Sequence, residues 1–324
     1  MFLKRLLMAA AVAAVALPAS AFEPKNVECI APANPGGGWD FTCRTAGRLL
    51  TEEKLVPGNV QVTNMAGATG AVAYANIASK RNDDPDLIVA TSTVGITQLA
   101  QGKYPADFDA MRWVAMLGAD VGVVMTKSGS KYESLDALMK AIKEDPTKIV
   151  AGGSSGIGGY DHLRFLMLAQ AAGVPDDALK SIRWVQFEGG GDAVTQLLGD
   201  KLDVVLVDIG EIGGFIKSGD VDALAVLGAD RLEAYPEVKT AKEQGFDVEG
   251  YNWRGFYMGG KVDDAAYQGW VDILHKLYES DAWKEAASKS GLTPIWRGGE
   301  EFETFAKESE DKMHQLSQAI GVIK

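Results

Sequence analysis

The sequence predicts an α/β protein assembled from strand–helix–strand units and large enough for two domains. Short apolar runs alternate with helical patterns almost throughout, glycine-rich turns stand where runs hand over to helices, and about 300 residues follow a short N-terminal leader. Alternation of this kind reads as βαβ units with mainly parallel sheets. About 300 residues suffice for two separate cores.

The leader comes first. Lys4 and Arg5 form a basic start, residues 6–17 are apolar, and Pro18 precedes Ala19, Ser20 and Ala21, a small-x-small cleavage site. That order is a secretory signal peptide cut near Ala21, and its apolar run is too short to span a bilayer of about 30 Å. An N-terminal core helix would need polar residues at helical spacing, and the run has none. No cysteine adjoins the cut, which argues against a lipid anchor there. The mature chain is therefore expected to be soluble in the periplasm, and no later stretch reaches transmembrane length. Residues 1–21 hold two bases and no acid, so their removal takes the formal charge from −12 to −14. A surface this acidic argues against nucleic acid as a partner. It also means that any anionic ligand must be held by local groups. Cys29 and Cys43 are the only cysteines. In an oxidising compartment they read as a disulfide closing a loop of about 15 residues, worth about 3 kcal/mol in the chain-entropy model; two buried free thiols are the alternative.

Strands are expected at 27–32, 60–64, 87–91, 113–117, 121–126, 149–151, 184–187, 204–207 and 223–227, with helices at 40–53, 134–143, 160–172 and 193–198. From Asp263 onward the chain reads as a helical layer carrying Trp270, Leu274, Leu277 and Trp283. Residues 111–127 are two apolar runs joined by Gly118, Ala119 and Asp120, with no helix between. Leu-Gly-Ala-Asp recurs at 117–120 and 227–230. These segments are expected to be two crossings of a hinge, with the middle of the chain inserted as a second domain; coincidence within one large domain is the alternative.

The chemistry is expected in the turns after the strands. These are Pro35-Gly36-Gly37-Gly38-Trp39-Asp40, Ala66-Gly67-Ala68-Thr69-Gly70, Thr91-Ser92-Thr93-Val94-Gly95, Gly152 to Gly159, Glu188-Gly189-Gly190-Gly191 and Asp208-Ile209-Gly210. In open α/β sheets such turns share the edge where ligands bind, and each offers backbone N–H groups at a helix start. Any one could be a tight turn alone; six together point to an anion gripped by amides and by the hydroxyls of Thr69, Thr91, Thr93, Ser154 and Ser155. Trp39 is either a cover on the ligand or a packed side chain. Asp40 reads first as the N-cap of the first helix and second as a ligand contact.

Enzyme readings are weaker. Gly152-Gly153-Ser154-Ser155-Gly156 matches G-x-S-x-G, and Ser154, Asp208 and His275 are a conceivable triad. But His275 falls in an amphipathic tail helix, and small residues around Ser154 dilute the pattern. His162 is better placed to line a binding loop. Gly36-Gly37-Gly38 does not complete a dinucleotide fingerprint, no P-loop is present, and no His or Cys pair has metal-ligand spacing. No cofactor, metal or catalysis is expected.

Several segments in order carry a more specific resemblance: ECIAPANPGGGWDFTCR, NMAGATGAVAY, GGSSGIGGYDH, EGGGDAVTQLLGDKLDVVLVD and GYNWRGFYMGG. They resemble the tripartite tricarboxylate transporter receptors, also called Bug-type or TctC-like receptors, over nearly the whole mature chain. The resemblance implies a type II periplasmic binding protein (Venus flytrap), two α/β domains joined by two hinge strands, with 22–119 plus 228–324 in one and 120–227 in the other. It implies a monomeric solute-binding protein that takes a small di- or tricarboxylate, citrate-like in the branch with paired cysteines. The ligand would be held by Gly37, Gly38, Trp39 and Asp40 on one side and Ser154, Ser155, Gly156, Gly158 and His162 on the other. Thr69, Thr91, Thr93 and Asp208 would stand around it. The implied partner is a permease of one large and one small membrane subunit. A receptor presenting its ligand to a membrane sensor kinase is the alternative, and a serine hydrolase a remote third. Arg254 is either a partner for a second carboxylate or part of a surface ion pair, and Arg44 lies one helical turn beyond the first loop.

Overall fold

The computed structural model describes residues 22–35, 38–187 and 189–324. Residues 1–21, where a signal peptide is expected, Gly36, Gly37 and Glu188 lie outside them.

The chain opens with β1 (Glu28–Ala31), α1 (Gly38–Glu52), β2 (Gln61–Asn64), α2 (Ala71–Lys80), β3 (Leu87–Ser92) and α3 (Thr93–Ala100). The three strands are parallel, with β1 in the middle. Every residue of β3 is buried, which is why it reads as an unbroken apolar run. Cys29 and Cys43 form the expected disulfide, tying β1 to α1 with both residues fully buried.

The next strand, β4 (Met111–Lys127), is 17 residues long. The two strands expected at 113–117 and 121–126 are thus one. The backbone runs straight through Gly118, Ala119 and Asp120, taking up register shifts at Trp113/Ala115, Met116/Gly118 and Val124/Met125. After it come α4 (Leu135–Glu144), β5 (Val150–Gly153), α5 (Tyr160–Ala171), α6 (Asp176–Leu179), β6 (Arg183–Gln186), α7 (Gly190–Leu198), β7 (Val204–Asp208), α8 (Ile209–Ser218) and β8 (Val221–Val226). Here β5 pairs in parallel with β6 and β7. The second part of β4 runs antiparallel to both β7 and β8.

The last segment holds β9 (Tyr251–Gly259), α9 (Asp264–Glu279), α10 (Asp281–Lys289), β10 (Arg297–Gly298) and α11 (Glu300–Ala319). Strand β9 was not expected, yet it lies between β3 and β4 and is antiparallel to both. Asn252, Arg254 and Gly255 interrupt its apolar pattern. Gly255 is needed there, because a Cβ would stand 2.4 Å from the Ala115 carbonyl oxygen. The sheet is therefore mixed rather than mainly parallel, with order β2-β1-β3-β9-β4-β7-β5-β6.

The tail helices cover the first strands as expected. Trp270, Leu274, Leu277 and Trp283 are all buried, and the indoles of Trp270 and Trp283 donate to the carbonyls of Pro85 and Leu117. Among the described residues no helix is long and apolar enough to cross a membrane. Between β8 and β9 the chain leaves and returns at one place. The Leu227 N–H donates to Gly122 O, the Gly122 N–H to Gly250 O, and the Gly250 N–H to Leu227 O. Within that excursion Ala241, Phe246 and Val248 join the core built by Leu138, Ile142 and Leu166.

Replacing both Cys29 and Cys43 by alanine is expected to lower unfolding stability by about 3 kcal/mol, since it frees a loop of roughly 15 residues in the unfolded chain. Urea titration of the oxidised wild type and the double variant measures this; equal midpoints would remove the disulfide from the account of stability.

Candidate functional site

Because β3 and β4 both run antiparallel to β9, and β7 antiparallel to β4, the C-terminal ends of β1–β3 point towards those of β5–β7. The six glycine-rich turns therefore approach one another from two sides, with 118–122 of β4 and the start of β9 between them.

On the first side, α1 begins at Gly38, two residues earlier than expected. Asp40 is thus the third helical residue and not the N-cap. Its buried carboxylate accepts from Asn64 Nδ2 (2.8 Å) and Arg44 Nε (2.9 Å), which also commits Arg44. A carboxylate in the first turn still favours the helix dipole. Trp39 spans the neighbouring turns: its Nε1 donates to Ser92 Oγ (3.1 Å), and a Cβ on Gly70 would meet its ring at 3.3 Å. Ser92, not singled out in the sequence, caps α3 by accepting from the Val94 N–H. Thr93 is buried, with its hydroxyl donating to Tyr251 O (2.7 Å) and accepting from the Trp253 N–H (3.1 Å). Thr91 is buried at the end of β3. Thr69 adopts a left-handed φ of 50°, and its carbonyl accepts from the Tyr104 hydroxyl.

On the second side, most donors of the serine loop are spent on the loop itself. The Ser154 N–H and hydroxyl both reach Asp161 Oδ2 (2.8 and 2.6 Å), and Ser155 Oγ accepts from the Asp161 N–H. The Gly158 N–H donates to His162 Nδ1 (3.0 Å), so the neutral imidazole carries its proton on Nε2. The Gly159 N–H donates to Gly156 O. The N–H groups of Ser155, Gly156 and Ile157 have no acceptor among the described residues. Two further helix starts hold side chains of this chain: the Gly190 N–H donates to Glu211, and the Gly210 N–H to Asp120 Oδ1 (3.2 Å).

Between the two sides runs a chain of charges. Arg164 is fully buried and pairs with Asp161 (2.7 Å) and Asp208 (2.6 Å). Asp208 also accepts from Asn252 Nδ2 (2.8 Å), and Asn252 Oδ1 accepts from Arg254 Nη1 (3.0 Å). Sequence reasoning missed Asp120, Asp161, Glu211 and Asn252, because their roles come from partners brought near by folding. The hydrolase grouping is not assembled. Ser154 is bonded to Asp161, Asp208 to Arg164 and Asn252, and His275 lies against Trp296, 3.8 Å from Glu279 on α9. Among the described residues no group of three His, Cys, Asp or Glu is arranged to hold a metal ion.

Comparison with known proteins agrees with this architecture. The family model for the tripartite tricarboxylate transporter family receptor matches residues 49–322. The chain belongs to that receptor family. Protein BugT of Bordetella pertussis is 28% identical over 292 residues, which cover 88% of this chain and 86% of BugT. A TctC solute binding protein from Polaromonas, solved without ligand, superposes with a TM-score of 0.80 at 21% identity, covering 90% of this chain and 98% of its own. MatC from Rhodopseudomonas palustris, solved with bound malate, superposes with a TM-score of 0.63 at 17% identity, covering 91% and 98%. The fold is the mixed α/β periplasmic binding protein fold, and family members are substrate-binding receptors.

In this receptor the site's titratable groups are strongly perturbed. Burial pulls His162 down to about 4, so it is neutral at physiological pH. Burial pushes Asp120 up to about 7; Asp208 adds to the effect, while the Gly210 N–H, Arg164 and Arg254 oppose it. Burial works against the Arg164 charge, but Asp208 and Asp161 outweigh it and hold its pKa above the ordinary value.

Two outcomes follow. An aspartate in the unfolded chain titrates near pH 4, so between about 4 and 7 the folded protein keeps a proton at Asp120 that the unfolded chain has lost. That contribution to stability falls as pH rises through the window. Asp120→Asn should therefore raise the melting temperature at pH 8 and lose the advantage towards pH 5; a difference independent of pH would contradict the raised pKa. Arg164→Met strands two buried carboxylates and should cost about 3–5 kcal/mol by urea titration. A loss below about 1 kcal/mol, within the range of exposed pairs, would contradict a buried role for the pair.

Proposed function

We propose that this receptor captures a small di- or tricarboxylate, of citrate-like size, in the cleft between two domains, and delivers it to a permease of one large and one small membrane subunit. The observation that carries this reading is the convergence of two sets of helix-start turns on a crossing that includes a guanidinium. The first turn of α1, the open N–H groups of Ser155, Gly156 and Ile157, and the Ser155 hydroxyl supply donors from opposite sides. Such donors suit a carboxylate, and the desolvated setting strengthens each bond. Gly38, Trp39, Asp40, Ser154, Gly158 and His162 would shape the walls, with Thr69, Thr91, Thr93 and Asp208 around them. The malate bound to MatC supports a carboxylate ligand. Export through cleavage near Ala21 fits the periplasmic setting of the family.

The two domains would close about 118–122 of β4 and the return at 250–252. Residues 228–250, expected with the first domain, support membership of the second through the packing of Ala241, Phe246 and Val248. Ligand would then favour the closed state by its greater affinity for it.

A thermal-shift series with citrate, tricarballylate, succinate, malate, glutamate and nicotinate tests the reading on the mature protein. A binding acid at about 100 times its Kd should stabilise by about 2.7 kcal/mol, with a shift that grows with concentration. No shift with any acid, using folded and ligand-free protein, would exclude the carboxylate reading.

A further inference from the structure

We propose that Arg254 is the anchor for a second carboxylate of the ligand, so that the site selects acids with at least two charges over monocarboxylates. The inference rests on the carboxylate reading above and adds the residue that reads ligand charge.

Arg254 lies on β9, in the crossing between the two sets of turns. Its guanidinium is partly buried against the first residue of α1, with Nη2, Cζ and Nε all 3.7–4.0 Å from the place a Gly38 Cβ would take. Its one hydrogen bond among the described residues runs from Nη1 to Asn252 Oδ1 (3.0 Å). No carboxylate of the described residues forms an ion pair with it. The Nε–Nη2 edge, which presents two parallel N–H groups and matches a carboxylate, has no acceptor among the described residues.

The surroundings make this arrangement costly without an anion. A cation beside the start of α1 opposes the positive end of that helix, which the Asp40 carboxylate, bonded to Arg44 and Asn64, offsets in part. Burial lowers the Arg254 pKa from its ordinary value, and Asp208 and Asp120 only partly offset this through space. The nearest charged chain is already satisfied: Asp208 is shared by Arg164 and Asn252, and Asp120 accepts from Gly210. A surface ion pair, the other reading of this arginine, is not formed among the described residues. An incoming carboxylate would complete the fork and relieve the conflict with the helix end together. A monocarboxylate would engage the turns and leave Arg254 unpaired.

The test uses titration calorimetry on the mature protein with succinate, adipate and tricarballylate, each against its own mono-amide, which keeps size and removes one charge. Any acid that binds should bind about 30-fold more tightly than its mono-amide, and Arg254→Gln should abolish most of that difference while changing amide affinity about threefold or less. Ligand-free Arg254→Gln should melt no lower than wild type, since it removes an uncompensated cation; an ion pair serving structure would give a lower melting point. Equal binding of acid and mono-amide by wild type, or undiminished discrimination in folded Arg254→Gln, would overturn the anchor and leave the carboxylate reading intact. Binding of neither acids nor amides by folded wild type would overturn both. Should Arg254→Gln fail to fold, the wild-type comparison of acid with amide still decides.

Discussion

The arrangement depends first on one buried cation, Arg164. It projects from α5 into the place where the two halves of the sheet meet, fully shielded from water, and a Cβ on Gly122 would stand 2.8 Å from its Nη1. An unpaired guanidinium in that position would be prohibitively costly, so both Asp161 and Asp208 must be in place. Each then fixes something else. Asp161 holds Ser154 and sets the serine loop; Asp208 holds Asn252 at the start of β9; and Arg164 itself donates to Gly250 O at the return of the chain. Exchanging the whole cluster for apolar side chains would not necessarily lower stability. What the cluster supplies is position, because loops on both sides of the crossing refer to the same charge.

The helix starts around the site divide into two kinds. Those of α5, α7 and α8 are occupied by side chains of the chain itself: Asp161 with the serines, Glu211, and Asp120. Their dipoles are already compensated, so the second side is preorganised without a ligand. The start of α1 carries the Asp40 carboxylate in its first turn but also a cation, Arg254, packed against Gly38. A cation therefore stands at the first side, in a protein whose overall charge is strongly negative. An anionic ligand would have to be drawn to this place by local groups, against the field of the whole molecule.

Much of this was legible from residues alone, for unequal reasons. Strands β3 and β7 are buried on every residue, so an apolar run announces them. Ser134 marks the start of α4 through its bond to the Ala137 N–H. Strand β9 escaped because Asn252 and Arg254 break the apolar run and Gly255 lowers strand propensity; Asn252 is there for Asp208, and Gly255 for the close approach of the Ala115 carbonyl. The continuity of β4 escaped for a related reason. Gly118, Ala119 and Asp120 look like a turn until β9 and the Ala119–Thr293 bridge supply partners for their backbone. In the site, glycine and serine clusters revealed the loops, but Asp161, Glu211 and Asn252 carry no local signature. Their function is a contact with a group up to 44 residues away, as between Asn252 and Asp208.

The sequence by itself determined the α/β class, the family and the disulfide, because these rest on periodicity, composition and short motifs that are properties of neighbouring residues. It also located the turns, since glycine's freedom and the start of a helix are local matters. Only the tertiary structure decided which donors those turns keep and which they surrender, where the chain crosses between the halves of the sheet, and which arginine is paired. Arg44, Arg164 and Arg254 are chemically identical in the sequence. Folding commits the first to Asp40 and Asn64 and the second to Asp161 and Asp208, while the third bonds only Asn252 among the described residues, because pairing and burial are set by what the fold brings alongside.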